Sequence, residues 1–519
     1  MRKMMLTALG LSLTLSLGAQ RPADFQKQQL EQLLQGYSLT NNAAGMGLSQ
    51  PSAGSRTQLS VFDQTGDYHL AQQGDGDLGF RFGTERYDSF SDKLFMRGSF
   101  YYQLDREKNR KWSDVMDPWF SIPYIYGSAV AKDYDTHDCG LSFDLYTAPL
   151  AGWISVGVKT DYRVADISGM RDPRPRTGYL DYQLVPSVLF TLGAHHIGLD
   201  LGYGYSKEKL SGLTTIQSYP NLYYYKMSGL EHIDGAISGY SGFKRQFAGS
   251  RFLGDVQYSY DGSYARVLVS GGMEYRKLDA YGDKMQSPGS YNCYTYNGLA
   301  SLILMPGRGL LHQFLVKGKY GDGGADEYLQ ELSSVKDPVT GVTTETWETL
   351  YEYKNRYQLT TLDASLRYQL LGTDGYADYR WRVGVEAGLR NFCKTYYLPY
   401  SGFQSDALTL SLDGSLRLFE IKGHKVDLTL GGGFRKPLQT ALAVQDEDNI
   451  YVQEVLQPDR AYYGCSVLSG SGSLLWEFPL NLGKAGLANG YVRLDGSLCK
   501  AQGGGRLNRV ELSVGLFTF

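Results

Sequence analysis

The 519-residue chain is poor in several of the features that usually betray a function. Its five cysteines, Cys139, Cys293, Cys393, Cys465 and Cys499, are too few and too scattered for a disulfide scaffold, and none forms a Cys-x-x-Cys pair. Seven histidines fall at no metal-ligand spacing, so neither a metal nor another cofactor is expected. Charge is nearly balanced, with 51 basic and 54 acidic residues, which excludes the basic footprint of a nucleic-acid binder. Beyond the first twenty residues no run of ~18 apolar residues occurs, so membrane-spanning helices are excluded. The mean hydropathy of −0.32 matches an ordinary soluble protein. It does not exclude a transmembrane barrel, whose strands are half polar.

Other features are plentiful. Glycine is 63 of 519 residues, well above the usual ~7%, and the 42 tyrosines are twice the 21 phenylalanines. At the N-terminus Arg2 and Lys3 precede an apolar run from Met4 to Leu17, then Gly18-Ala19. This pattern predicts a secretory signal peptide over residues 1–19 and an exported mature chain from about Gln20.

The dominant signal is alternation with period 2, the mark of strands with one apolar face. Leu408, Leu410, Leu412, Leu416 and Leu418 oppose Thr409, Ser411, Asp413, Ser415 and Arg417. Trp381, Val383, Val385, Ala387 and Leu389 oppose Arg382, Gly384, Glu386, Gly388 and Arg390. The same rhythm recurs along the chain, and its polar face carries glycine, charge and small hydroxyls with no second apolar sheet to cover it. That combination predicts an all-β fold, a closed transmembrane antiparallel barrel over residues 56–519. About eighteen strands are expected, within a range of 16–20. Connections alternate short and long. The long ones fall at 105–137, 165–178, 207–249, 278–290, 322–353 and 437–462, and 207–249 has room for a further hairpin through 221–227. Residues 20–55 precede the barrel and include a short helix over 23–35, capped by Asp24, that either plugs the lumen or lies in the periplasm.

The last strand alternates Val510, Leu512, Val514 and Leu516 with polar residues and ends Phe517-Thr518-Phe519. In this it resembles Gram-negative outer-membrane β-barrel proteins, above all the large, poorly characterised ones. The resemblance implies residence in the outer-membrane lipid and a C-terminal strand, with Phe517 and Phe519, read by the barrel assembly machinery. Upstream, Asn42-Ala43-Ala44-Gly45-Met46 resembles the Asn-Pro-Ala-Gly-Leu element before the first strand of long-chain fatty-acid transporters, without its proline. That likeness implies an N-terminal hatch inside the barrel.

The polar faces of four neighbouring strands gather Asp363, Arg367, Arg382, Glu386, Arg390, Asp413, Arg417, Asp427 and Arg435. This wall reads either as an ion-pair lattice that stiffens the lumen or as a selectivity surface for a charged or sugar-like solute. Tyrosines near strand ends suit an interfacial girdle. Tyr223, Tyr224, Tyr225, Tyr291 and Tyr294 are the candidates for a binding surface on the outer loops. Cys465 and Cys499, on adjacent expected strands, leave one bridge open. Enzyme signals are poor, and no catalytic residue is assigned. The sequence points to a channel or transporter for a small solute. The alternative is a non-transporting barrel that binds at the surface or serves an outer-membrane partner protein in an uptake or secretion complex.

Overall fold

The computed structural model describes residues 24–48, 54–119, 122–214, 223–237, 244–282, 285–307, 309–336, 338–375, 378–482 and 487–518. The signal peptide expected over 1–19 and the terminal Phe519 lie outside the described residues.

Eighteen strands form one sheet that closes on itself. In chain order they are β1 (Gly54–Gly66), β2 (Gly76–Ser91), β3 (Leu94–Arg110), β4 (Lys132–Thr147), β5 (Ile154–Gly169), β6 (Arg174–Leu192), β7 (His195–Thr214), β8 (Arg245–Asp261) and β9 (Ala265–Tyr281). The second half is β10 (Gly289–Gly307), β11 (Leu310–Lys336), β12 (Thr343–Asp374), β13 (Asp378–Tyr396), β14 (Ser401–Ile421), β15 (His424–Ala443), β16 (Val467–Asn481), β17 (Leu487–Ala501) and β18 (Arg506–Thr518). Each strand pairs antiparallel with the next, and β18 pairs back onto β1, from Thr518 opposite Ser55 to Leu507 opposite Gly66. The barrel therefore has no free edge.

Side-chain parity follows the alternation. On β14, Leu408, Leu410, Leu412, Leu416 and Leu418 are 45–60% exposed, so no protein covers them. Their neighbours Asp413 and Arg417 are tied into ion pairs on the other face. Equivalent exposed residues include Val383 and Val385 on β13, Leu428's neighbour Leu430 on β15, and Val510, Leu512 and Val514 on β18. This outward belt is what a bilayer requires. Aromatic pairs border it at both ends. Trp153–Phe190, His195–Tyr258, Phe314–Tyr368 and Trp476–Phe478 lie at the short-turn end. Tyr203–Phe252, Tyr275–Tyr294 and Tyr296–Tyr320 lie toward the loop end.

The expected strand number matches the observed one, but several expected loops are wall. The chain turns at 170–173 rather than over 165–178, and the wall runs on to Lys336 and resumes at Thr343 where a loop is expected over 322–353. Strands of 13–32 residues overshoot the ~9–11 residues that cross a bilayer, because ladder hydrogen bonds persist where the apolar alternation has stopped. The hairpin in 207–249 exists as Tyr224–Gly229 and His232–Ile237. It pairs with Tyr126–Gly127 in a separate small sheet, not with the wall. All five cysteines are free thiols, including Cys465 and Cys499.

A charge on the outward face should be costly and one on the inward face tolerated. Leu412→Arg is expected to lower the stability of the barrel in bilayers by about 2–4 kcal/mol, measured by denaturant titration, whereas Ser411→Arg should change it little.

Candidate functional site

Inside the wall the lumen is crossed twice, and the candidate site is the space between. At the short-turn end lies the N-terminal segment. Helix α1 (Phe25–Gln35) starts where the Asp24 carboxylate accepts from the Lys27 N–H at 2.8 Å. The other Asp24 oxygen meets Lys425 Nζ of β15 at 2.6 Å. Phe25 packs edge-on against Tyr491 and Phe517, and its N–H donates to Glu477 at 2.9 Å. Tyr379 donates to Gln29 at 2.6 Å, and Leu30 packs with Ile303, Leu311 and Leu371. Beyond the helix, Tyr37 meets Ser259 at 2.9 Å. Asn42 is fully committed: its amide donates to Gln257 at 2.9 Å and to the Val188 carbonyl, while its oxygen accepts from Gly45 N–H at 3.0 Å. An aspartate there could accept but not donate, which explains the amide in this element.

At the loop end the connections fold inward. Trp112, Val115, Ile122, Tyr124, Ile125, Met227 and Leu230 join Tyr451–Leu456 and the inner faces of Phe247, Tyr291, Tyr357, Phe392 and Phe403 in one apolar cluster. Arg245, wholly buried, ties this layer to the wall through Asp114 at 3.2 Å and Glu208 at 3.1 Å. Helix α2 (Gln457–Gly464) closes the cluster, and Asp459 on it accepts from the Ala71 N–H at 2.8 Å.

The chamber between these layers comprises a cavity of about 620 Å³ and one of about 410 Å³, with Lys319, Asp363 and Arg390 lining both. Ser38–Asn41 form the floor, and Tyr291, Phe392 and Tyr463 the roof. Glycines make room for the side chains that line the wall. A Cβ at Gly388 would lie 2.6 Å from Thr409 Oγ1, and one at Gly384 would lie 2.8 Å from Asp413 Oδ1.

The nine charged residues singled out in the sequence divide by height. Asp363 and Arg390 pair at 2.7 Å and face the chamber. Arg367 bridges Glu386 at 3.0 Å and Asp413 at 2.6 Å, and Asp413 also holds Arg382 at 3.2 Å. Arg417 and Asp427 serve the N-terminal segment instead. Arg417 binds Asp378, Glu420 and Asp427 and donates to Gln26 of α1. Arg435 sits higher and donates to the Tyr462 and Cys465 carbonyls, which anchors the end of α2.

Four of the five candidate tyrosines lie elsewhere than on exposed outer loops. Tyr291 and Tyr294 belong to β10, because the alternation runs through them; Tyr291 is buried inside and Tyr294 faces out. Tyr224 is buried in the inner hairpin and Tyr225 packs on Trp112, so of that trio only Tyr223 is substantially exposed. Phe517 points inward onto Phe25 rather than to lipid. Sequence reasoning missed Lys317, Lys319 and Asn297, which line the chamber. Parity within β11 would have found the two lysines, since Phe314, Val316 and Tyr320 face out.

A family model described as a family of unknown function (DUF6850) matches residues 43–518. No match was found among curated proteins. Among solved structures the chain is similar to BauA, the ferric preacinetobactin receptor from Acinetobacter baumannii, with 9% identity, 89% of this chain and 80% of that one covered, and a TM-score of 0.40. It is also similar to the copper transporter OprC (8% identity, 90% and 81% covered, TM-score 0.38) and to the CymD monoaromatic hydrocarbon channel (10%, 93% and 92%, TM-score 0.32).

Burial raises the Asp459 carboxyl to about 6, against the Ala71 N–H bond and the nearby Lys394 and His69 charges that lower it. Its contribution to docking of α2 is fully present below the ordinary carboxylate value and is lost as pH rises through about 6. Hydrogen exchange over residues 457–464 should therefore be slower at pH 4 than at pH 7, after correction for intrinsic rates, and the difference should vanish in Asp459→Asn.

Proposed function

We propose, for a chain that belongs to a family of unknown function (DUF6850), that it is a gated outer-membrane transporter of a small polar solute, with residues 24–48 as the gate. The observation that carries this reading is the chamber with charged and hydroxyl-bearing residues in its lining, bounded below by a segment that is not part of the wall and is held to it by hydrogen bonds, ion pairs and small apolar contacts. The segment's apolar contacts are split among three separate clusters, around Phe25, around Leu30 and around Tyr37, Ala44 and Met46, so it can leave without opening the larger loop-end core. The polar lining disfavours the hydrophobic cargo implied by the likeness of Asn42–Met46 to fatty-acid transporters. Export through the N-terminal signal, residence in the outer membrane and recognition of β18 by the barrel assembly machinery complete the reading. The apolar belt and its two aromatic borders support it.

One observation favours a second reading, a barrel that also docks a partner at the cell surface. The hairpin of β11 and β12 rises beyond the belt and shows Val335, Val339 and Val342 at 60–90% exposure. An unsupported two-stranded ribbon is marginal in water, which favours a contact there. Removing residues 331–348 would then abolish partner binding and leave solute flux intact.

The gate is testable at one glycine. A Cβ at Gly157 on β5 would lie 2.5 Å from Ala44 N and 2.8 Å from the Ala43 carbonyl carbon. Gly157→Leu should unseat residues 43–47 while the barrel still forms, raising single-channel conductance in planar bilayers at least several-fold above the wild type. An unchanged closed record from a folded variant would refute gating by this segment.

A further inference from the structure

Three carboxylates facing the chamber are paired with arginines, and two neighbouring lysines have no carboxylate of their own. Asp363 pairs with Arg390 at 2.7 Å, Glu386 with Arg367 at 3.0 Å, and Glu274 with Arg276 at 3.4 Å. Asp255 accepts from Asn41 Nδ2 at 3.3 Å. Among the described residues Lys317 and Lys319 make no ion pair within 4.0 Å, although both line the cavity.

Lys317 and Lys319 are the concentrated feature. Two residues apart on β11, they project from the same face, with backbones about 7 Å apart. Across the ladders Lys317 faces Leu299 and Ser365, and Lys319 faces Asn297 and Asp363. Asp363 is neutralised by Arg390, so the four charges Lys317, Lys319, Asp363 and Arg390 sum to two positive. Like charges so close repel, the more so in a chamber with low-dielectric walls. An anion that sits between them removes that repulsion and gains charge-assisted hydrogen bonds. The remaining lining supplies neutral donors and acceptors, Ser270, Asn297, Ser365 and Thr409, at the same level. These suit hydroxyl groups, and the larger cavity, about 620 Å³, is of small-molecule size.

We infer that the chamber binds a hydroxylated anion, a sugar bearing a carboxylate or a phosphate, with Lys317 and Lys319 holding the charged group and the amide and hydroxyl lining holding the ring substituents. This deepens the transport reading and rests on it for the route by which the solute arrives. A neutral sugar leaves the lysine pair uncompensated. A simple cation is repelled by the lysine pair and finds only Asp255 without a cationic partner.

The test is equilibrium binding to the purified full-length protein in detergent, with glucuronate, glucose 6-phosphate and glucose as probes. Both acids should bind at least tenfold more tightly than glucose. Lys317→Gln/Lys319→Gln should erase that preference, and Lys317→Arg/Lys319→Arg should retain it. Glucose binding as tightly as the acids, no binding of either acid, or a preference that survives the glutamine variant overturns the inference. Should the glutamine variant fail to fold, judged by heat-dependent migration on gels, the wild-type comparison of acid with neutral sugar still decides. Uptake of glucuronate into proteoliposomes is read separately. Binding without uptake refutes the transport reading and leaves the lysine pair as a binding site.

Discussion

Closure of the backbone ladder is the constraint on which the rest depends. Lipid offers no partner to an N–H or C=O group, so every strand must have two neighbours, and the seam between β18 and β1 is what makes the sheet endless. Once the sheet is closed, side-chain parity has only two destinations, hydrocarbon outside and lumen inside. The apolar half of each alternation goes out, as on β14, and the polar half is forced into a shared interior. A residue inserted or lost in mid-strand would exchange the two faces, which is why the rhythm is so regular along the wall.

That interior then has to satisfy itself. Charges brought together by register pair across strands, as Arg367 does with Glu386 and Asp413, and two inward-folded layers supply further partners. The layers differ in kind. The loop-end layer is an apolar cluster pinned by the buried Arg245–Asp114–Glu208 group, where loss of one partner strands a charge and costs several kcal/mol. The N-terminal layer has three smaller apolar contacts, around Phe25, around Leu30 and around Tyr37 and Met46, interleaved with polar ties. That contrast supports the proposal that the lower layer is the gate.

The wall was legible because parity is a local property. Strand number, inward and outward faces and the clustering of Asp363, Arg367, Arg382, Glu386 and Asp413 all follow from spacing two within strands and adjacency between them. Strand ends were not legible, since pairing in β11 and β12 continues on exposed polar residues where periodicity gives no signal. Nor was the inward folding of the loops. Tyr224 reads as a loop aromatic and Trp112 falls within the expected loop 105–137, and only tertiary packing against Leu210 and Tyr451 makes them interior. The role of Arg417 was hidden for the same reason, because its partner Gln26 is 391 residues away in sequence.

In the proposed gating, the N-terminal segment must leave for solute to pass. The Ala44 N–H donates to Ser187 Oγ at 3.0 Å, so these two positions can be tethered with the segment in place. In a background with the five native cysteines replaced by serine, a reversible cross-link between Ala44→Cys and Ser187→Cys should abolish solute flux in liposome swelling, and reduction should restore it. Flux that is the same with the tether intact would contradict the account.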